Sequence, residues 1–378
     1  MAMKSKSDKG VQRKMDKVKK FFDCYIPTET CNLRCHYCYI AQQHRFGNRL
    51  ARFSHSKEET RKAFAKDRLG GPCLFNLCAG GETLLSAEVL PLVRELLEEG
   101  HYVMVVTNGT MTKRFQEAAA WPEELRHRLM FKISFHYLEM RRLNMMDTFF
   151  SNVDIVKKSG ISFTVEITPS DELMPYIEDV KKECMERLGA LCHITVGRND
   201  CTDGIDVLTN LSFDEYKKVW SQFNSELFSF KMDLYHKKCN RNFCYAGLWS
   251  AYINLDNGDM RQCYSGKILD NIYSDTSRPL HFEAVGYDCT MPYCFNGHAF
   301  VTLGDVPSWD APTYAEVRNR VCEDGSEWLS PEMKAFLGSK LEESNPEYSS
   351  AYRALRKAKK VAGDYSGRAV QKLKHVIR

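Results

Sequence analysis

The feature that most constrains the fold is a sixfold alternation of short β-rich runs with amphipathic stretches between residues 21 and 197. In Ala87–Glu99, for example, Val89, Leu92 and Leu96 fall on one helical face. Such alternation is typical of repeated βα units and predicts a parallel sheet. Six units predict an α/β fold with an open, partial (β/α)6 barrel, whose site lies at the carboxyl ends of the strands. The predicted strands are Phe22–Pro27, Cys73–Cys78, Tyr102–Thr107, Met130–His136, Ser162–Thr168 and Cys192–Gly197, and the predicted helices are Ala87–Glu99, Lys113–Arg128, Asp147–Ser159 and Asp171–Leu188.

Three cysteines, Cys31, Cys35 and Cys38, follow the first predicted strand in a C-x3-C-x2-C spacing. Three thiolates on one tight loop can hold three irons of a four-iron cluster and leave the fourth iron open for chemistry. A zinc finger would bring a second Cys or His pair at a fixed interval, which this spacing does not provide. Three packed core thiols or a structural zinc site are the alternative interpretations.

Polar and glycine-rich turns follow the later strands. Gly80-Gly81-Glu82 follows the second strand, Thr107-Asn108-Gly109 follows the third, and Ser134 and His136 close the fourth. Adjacent glycines let a ligand approach the backbone, and a glutamate can accept hydrogen bonds from an ammonium group. Each turn alone is ordinary turn chemistry, so it is their order behind the cysteine loop that indicates a ligand site.

Together, the cysteine triplet with Tyr37 before its third cysteine, Gly-Gly-Glu and Thr-Asn-Gly resemble the motifs of the radical S-adenosylmethionine (SAM) superfamily over roughly residues 21–210. The resemblance implies a [4Fe–4S] cluster on Cys31, Cys35 and Cys38 whose open iron is chelated by SAM. It also implies reductive cleavage of SAM to a 5′-deoxyadenosyl radical, hydrogen abstraction from a substrate, and a flavodoxin- or ferredoxin-type electron donor. The implied SAM contacts are Gly80, Gly81 and Glu82 at the methionine amino group, Tyr37 beside the adenine, and Thr107, Asn108, Ser134 and Glu166 at the ribose and carboxylate.

A second group of cysteines follows residue 238. Residues 251–260 read as a β-hairpin with Asp-Asn-Gly at its turn, which would bring Cys244 and Cys263 side by side. The spacing Cys244-x13-Gly258-x4-Cys263 resembles the opening of the SPASM or twitch region, which carries auxiliary clusters in many radical SAM proteins. The rest of the full SPASM pattern is absent, so one auxiliary [4Fe–4S] cluster is predicted. The predicted ligands are Cys244, Cys263, Cys289 and Cys294, with Cys239 and His298 as competing candidates and a zinc knuckle as the alternative.

The remaining cysteines are predicted to pack as small hydrophobic residues, with Cys192 or Cys201 as an alternative substrate-site thiol. Fifteen cysteines, an odd number, are unlike a secreted disulfide scaffold. With no apolar signal segment and no run long enough to span a bilayer, these features predict a cytoplasmic protein. The cysteines in this set are Cys24, Cys73, Cys78, Cys184, Cys192, Cys201 and Cys322.

Both ends of the chain are basic and the middle is acidic. Residues 1–20 hold 8 Lys and Arg against 2 acids, residues 351–378 hold 9 against 1, and the remainder holds 36 against 46. We interpret the ends as solvated tails, because they lack the interleaved aromatic residues of a nucleic-acid surface. A nucleic-acid partner is therefore not predicted.

The predicted domains are a basic tail at 1–20, a radical SAM core at 21–210, a helical connector at 211–238, an auxiliary cluster region at 239–305 and a helical segment at 306–378. In the last segment we predict helices at Thr313–Cys322, at Pro331–Glu342 and from Ser349 onward, with a break at Gly363-Asp364-Tyr365-Ser366-Gly367.

About 20 residues precede the first strand, too few for a leader-binding domain. The predicted substrate is therefore a small molecule, a sugar or a separately presented peptide, with an auxiliary cluster that assists net oxidation or crosslinking. A SPASM-type peptide or protein maturase is one alternative, and a zinc-stabilised nucleic-acid-binding module is an alternative of another class.

Overall fold

The computed structural model describes residues 15–235 and 237–376, with side chains described as far as residue 363. Its strands are β1 Phe21–Ile26, β2 Leu74–Ala79, β3 Tyr102–Thr107, β4 Leu129–Ser134, β5 Ser162–Ile167, β6 His193–Ile194, β7 Ser250–Asn254, β8 Asp259–Arg261 and β9 Ile268–Asn271. They form one sheet in the order β6-β5-β4-β3-β2-β1-β7-β8-β9. Strands β1 to β6 run parallel to their neighbours, which confirms the predicted partial barrel.

Helices connect the parallel strands, and further helices follow them along the chain. They are α1 Tyr39–Gln42, α2 Lys57–Ala63, α3 Lys66–Leu69, α4 Val89–Glu98, α5 Thr112–Ala119, α6 Glu123–Arg126, α7 Tyr137–Arg142, α8 Met146–Lys158, α9 Ile177–Leu188, α10 Phe213–Trp220, α11 Glu226–Leu234, α12 Gly297–Phe300, α13 Pro331–Gly338 and α14 Ser350–Val376. Two predicted helices are divided. Pro122 separates α5 from α6, and the stretch containing Pro175 forms a 3-10 helix before α9, because proline lacks the N–H of a continuous α-helix.

The predicted hairpin is present, and it extends the barrel sheet. β7 and β8 pair antiparallel around a turn where Gly258 has φ +78°, a left-handed conformation that favours glycine. β7 also pairs parallel with β1, with Phe21 opposite Ser250 and Tyr25 opposite Asn254. The cysteine-rich region is therefore continuous with the strand that leads into the first cysteine loop.

The two faces of the sheet differ because side chains alternate along each strand. Phe22, Cys24 and Ile26 of β1 face the helix layer and join the main core. Phe21 faces the barrel interior, where it packs against the C-terminal part of the chain. Further along the same interior face, nearer the carboxyl ends of the strands, the residues become polar. They are Asp23 on β1, Asn76 on β2, Lys132 on β4 and Glu166 on β5.

The predicted helix at Thr313–Cys322 is wrong, because this segment is a series of turns. Arg320 O accepts from Trp328 N, and Val321 bridges Glu327, so the chain leaves the helical path after about one turn. The predicted break at Gly363–Gly367 is also wrong, since α14 continues through it. Glycine in an exposed helix costs only about 1 kcal/mol, which its helix-forming neighbours offset.

The last residues before β1 are packed and not solvated. Val18 is buried and its N–H donates to Ser339 Oγ at 3.0 Å, while Lys20 Nζ donates to Leu248 O at 2.7 Å. The tail prediction is therefore wrong for this stretch, and residues 1–14 lie outside the described part of the chain. Among the described helices, none has the length and apolar character needed to cross a membrane.

Candidate iron–sulfur and SAM site

The cysteine loop begins five residues beyond the end of β1. Cys35 is buried, and Cys31 and Cys38 are partly buried. Burial raises the pKa of the Cys35 thiol, and the neighbouring Cys38 and Cys31 raise it further. This mutual effect shows that the three thiols share one small volume. Their chemistry fits a cluster, since a bound metal would replace the protons and compensate the buried negative charge.

A ring of side-chain amides and a hydroxyl fixes this loop to the end of β3. Asn108 Nδ2 donates to Asn32 Oδ1 at 2.8 Å, and Asn32 Nδ2 donates to Thr110 Oγ1 at 2.8 Å. Thr110 Oγ1 closes the ring by donating to Asn108 Oδ1 at 2.7 Å. Asn108 Nδ2 also lies 3.9 Å from Cys31 Sγ. The Asn of the cysteine loop, which the sequence did not single out, is thus a positioning residue.

Gly80 and Gly81 bring the second strand end against the segment that enters the cysteine loop. Gly81 N donates to Thr28 O at 2.7 Å and Glu82 N donates to Thr30 O at 2.9 Å. A Cβ on Gly81 would lie 1.9 Å from Thr30 O, so this position accepts no side chain without displacing backbone. The glycines are therefore explained by backbone approach within the protein itself.

The Glu82 carboxylate is buried and already engaged by protein groups. One oxygen accepts from Thr107 Oγ1 at 2.6 Å and from Leu84 N at 2.9 Å, and the other accepts from Asn108 N at 2.7 Å. Burial raises the pKa of Glu82, whereas these three donors lower it. Glu82 thus braces β3 against the Gly-Gly turn. Tyr39, which the motif analysis missed, donates its hydroxyl to Gly80 O at 2.9 Å.

Tyr37 lies across the loop against the end of β4. Its hydroxyl is 2.7 Å from His136 Nδ1, and the two rings are nearly parallel with centroids 5.9 Å apart. Burial lowers the pKa of His136 to about 4, so the imidazole is neutral near pH 7 and shares one hydrogen bond with the Tyr37 hydroxyl. Ser134 and Glu166 are register partners on β4 and β5. The implied SAM contacts therefore gather at one end of the sheet.

The five cysteines of the second group line a single cavity, together with Tyr264, Met291, Tyr293 and Trp309. The thiols are Cys239, Cys244, Cys263, Cys289 and Cys294. A hydrogen bond with Cys289 lowers the pKa of Cys239, whereas a hydrogen bond with Cys294 and burial raise it. The net effect raises the pKa of Cys239 to about 12. His298 instead lies among cations of the barrel interior, which lower its pKa in addition to burial.

Across the described ranges 15–235 and 237–376, no three Cys, His, Asp or Glu side chains converge on the position of a single metal ion. A four-iron cluster does not require that convergence, because each thiolate binds a different iron.

The other cysteines divide into two kinds. Five of them are buried, as predicted: Cys24, Cys73, Cys184, Cys192 and Cys322. Cys78 is partly buried on the interior face of β2, and Cys201 is exposed. Those two do not pack as core residues.

One comparison with known proteins bears on this site. Residues 25–173 match the family model of the Radical SAM superfamily, and they contain the cysteine loop, the Gly-Gly turn and Asn108. This part of the chain is a radical SAM domain, and the predicted superfamily is confirmed. No curated protein matches the chain.

Three of the solved structures that align with the chain are the following. SuiB of Streptococcus suis bound to S-adenosylmethionine shares 12% identity at a TM-score of 0.48, over 68% of this chain and 64% of that chain. AnSMEcpe with bound AdoMet and Cp18Cys peptide shares 17% identity at a TM-score of 0.48, over 68% of this chain and 78% of that chain. BtrN in complex with AdoMet and 2-DOIA shares 11% identity at a TM-score of 0.32, over 70% of this chain and 82% of that chain. The chain thus spans less than two thirds of the length of SuiB.

Proposed function

We propose that the chain is a radical SAM enzyme with two iron–sulfur clusters. Cys31, Cys35 and Cys38 hold the first cluster, and cysteines of the second group hold an auxiliary one. The observation that carries this proposal is the pairing of β1 with β7. β1 leads into the first cysteine loop at its carboxyl end, while the hairpin of β7 and β8 returns the chain so that Cys244 and Cys263 lie near the amino end of β7. The two groups thereby belong to one continuous sheet. The domain boundaries predicted above remain part of this proposal, except that residues 18–20 pack against the body of the protein and do not belong to a solvated tail.

The residues present fit the first cluster and SAM. When bound, the cluster and SAM would together supply one-electron cleavage of SAM and a carbon radical that takes hydrogen from the substrate. The chain's own part is to hold the cysteine loop through Asn32, Asn108 and the Gly-Gly turn, and to exclude water. The proposed SAM contacts are those that the resemblance implies. They are Gly80, Gly81 and Glu82 at the methionine amino group, Tyr37 beside the adenine, and Thr107, Asn108, Ser134 and Glu166 at the ribose and carboxylate.

For the auxiliary cluster we propose Cys244, Cys263, Cys289 and Cys294 as ligands, with Cys239 as a competing fifth thiol in the same cavity. Four protein ligands leave no iron open. A fully ligated cluster can accept an electron from a substrate radical, so a net oxidation or crosslink is the proposed outcome. The proposed substrates are a small molecule, a sugar or a separately presented peptide, and a peptide maturase is the alternative. The radical SAM domain argues against the zinc-stabilised nucleic-acid-binding module.

Anaerobic purification and reconstitution test the proposal. We expect a brown protein with about eight irons per chain that forms 5′-deoxyadenosine from SAM with a chemical reductant. Cys35→Ala should abolish 5′-deoxyadenosine formation and retain about four irons. Cys201→Ser, an exposed thiol outside both groups, is the control and should behave as wild type. Colourless protein with stoichiometric zinc, or 5′-deoxyadenosine formation by Cys35→Ala, would contradict the proposal.

A further inference from the structure

The interior of the barrel contains three buried cations around one carboxylate. Glu166 on β5 contacts Arg318 Nη1 through Oε1, and the same oxygen lies 3.6 Å from Lys132 Nζ. Burial by itself would raise the pKa of Glu166, but Arg318, Lys132 and Lys231 hold it below its usual range. The carboxylate is therefore ionised and cannot neutralise all three cations.

Arg318 is only partly used by the protein. Its side chain is fully buried, and within the described residues its Nε and Nη2 atoms have no hydrogen-bond partner. The Tyr314 ring lies 4.8 Å from its Cζ. Glu166 contacts the guanidinium through Nη1, so its Nε and Nη2 atoms are not engaged by this carboxylate. Buried donors without partners are costly and mark a position where another group binds.

Lys231 and His298 lie in the same cluster. Lys231 Nζ donates to Thr195 Oγ1 at 2.7 Å, which is an uncharged partner. His298 Nδ1 is buried and has no hydrogen-bond partner among the described residues. After burial, the groups that lower the pKa of His298 are Lys231, Lys132, Arg318 and Arg198, so these cations lie near it.

The remaining nearby acids do not balance this charge. Asp200 lies 3.8 Å from Arg198, and Asp23 accepts from Asn76 and Tyr264 on the β1 and β2 side of the interior. Burial also lowers the pKa of both Lys132 and Lys231, and Glu166 opposes this effect only in part. A buried cation becomes favourable only with a hydrogen-bonded counter-charge.

We propose that Arg318, Lys231 and His298 bind an anionic group of the substrate, a carboxylate or a phosphate. The arginine fork matches the paired oxygens of either group, and Glu166 positions the guanidinium from behind. The strand order separates this anion site from the cysteine loop, because Lys132 and Glu166 are on β4 and β5 while the loop follows β1. This proposal rests on the proposed function, because only an enzyme has a substrate. It narrows the class of that substrate to anionic molecules.

The test uses the metal-free full-length chain, so it does not depend on SAM cleavage. Isothermal titration with sodium phosphate and with sodium acetate, at matched ionic strength in chloride, should show saturable binding of at least one anion. Arg318→Gln should weaken that binding at least tenfold. Arg320→Gln is the matched control, since Arg320 is also largely buried but its Nη atoms donate to carbonyls of Asn224, Cys192 and Phe223. The tighter of the two anions identifies the group.

Two results would overturn the proposed anion site: no saturable binding of either anion, or equal binding by Arg318→Gln and wild type. Displacement of the anion by SAM in the reconstituted protein would overturn it as well, because the cations would then serve the cofactor carboxylate. If Arg318→Gln does not fold by circular dichroism, Lys231→Gln replaces it with the same expected weakening. Anion binding without SAM cleavage would remove the proposed enzyme and leave the anion site intact.

Discussion

The Tyr264 hydroxyl donates a hydrogen bond to Asp23 Oδ2 and so joins the second cysteine group to the barrel interior. Tyr264 directly follows Cys263, and Asp23 is on β1, which leads toward the first cysteine loop. Asn76 Nδ2 donates to the other carboxylate oxygen at 2.8 Å. Burial raises the pKa of Asp23, while the Tyr264 and Asn76 bonds lower it. This carboxyl group is therefore placed between the two proposed clusters.

Replacing Tyr264 by Phe should destabilise the metal-free chain more at pH 8 than at pH 5. The Asp23 carboxyl group is ionised in a larger fraction of the molecules at the higher pH, and a hydrogen bond to a charged group is worth about 1 kcal/mol more than one between neutral groups. Thermal unfolding at the two pH values measures the difference. Tyr252→Phe removes the hydroxyl of a neighbouring ring, 4.7 Å away, and is the control. Equal losses at both pH values would show that the bond does not depend on the charge of Asp23.

Gly81→Ala should abolish the first cluster and spare the second. The added Cβ would meet Thr30 O at 1.9 Å and push the entry to the cysteine loop out of place. We expect iron content to fall from about eight to about four per chain, with loss of 5′-deoxyadenosine formation. Gly338→Ala, where a Cβ meets nothing within 4 Å, is the matched control. Full iron content in Gly81→Ala would mean that the backbone contact does not position the loop.

Single substitutions in the second cysteine group should separate the four ligands from the fifth thiol. Cys244→Ser, Cys263→Ser, Cys289→Ser and Cys294→Ser should each lose about four irons per chain, whereas Cys239→Ser should keep them. Iron and sulfide assays with electron paramagnetic resonance of the reduced protein provide the readout. Loss of the cluster in Cys239→Ser, with retention in one of the other four, would exchange those two residues as ligands.

His101 should make the protein sensitive to acid. Its Nδ1 accepts from Cys73 N and its Nε2 donates to Phe64 O, and burial lowers its pKa from 6.5 to about 4. Between pH 6.5 and 4 the unfolded chain binds a proton that the folded chain does not. The free energy of unfolding therefore decreases as the pH is lowered from 6.5 to 4. The loss is at most about 3 kcal/mol, at 1.36 kcal/mol for each pKa unit.

His101→Gln should remove that part of the acid sensitivity, although it lowers stability at pH 7 through lost packing. Urea unfolding of the metal-free chain at pH 7 and pH 4.5 compares the two slopes. His281→Gln, at a largely exposed position, should keep the wild-type slope. An unchanged slope in His101→Gln would assign the acid sensitivity to other groups.

Local sequence was sufficient where the structure depends on local pattern. Tyr102–Thr107 was predicted with its observed bounds, because an apolar run between turn signals specifies a buried strand. The cysteine grouping followed from spacing and from the hairpin that brings Cys244 and Cys263 to one cavity.

Long-range pairings had no such signal. Arg318 and Glu166 are 152 positions apart, and nothing in either local sequence names its partner. The segment around Arg318 was predicted as a helix, which hid its role in the interior. Asn32 was likewise missed, since its contacts with Asn108 and Thr110 arise only when β1 and β3 end at the same edge.

The pairing of β7 with β1 makes the two halves of the chain difficult to separate. A truncation after residue 210 would remove β7 from one side of β1. It would leave an open row of backbone donors and acceptors beside the radical SAM motif. Exposed strand edges of this kind recruit other chains and aggregate. The cysteine-rich region is thus the lateral seal of the barrel as well as a candidate cluster site, so a shortened catalytic fragment is a poor starting point for biochemistry on this protein.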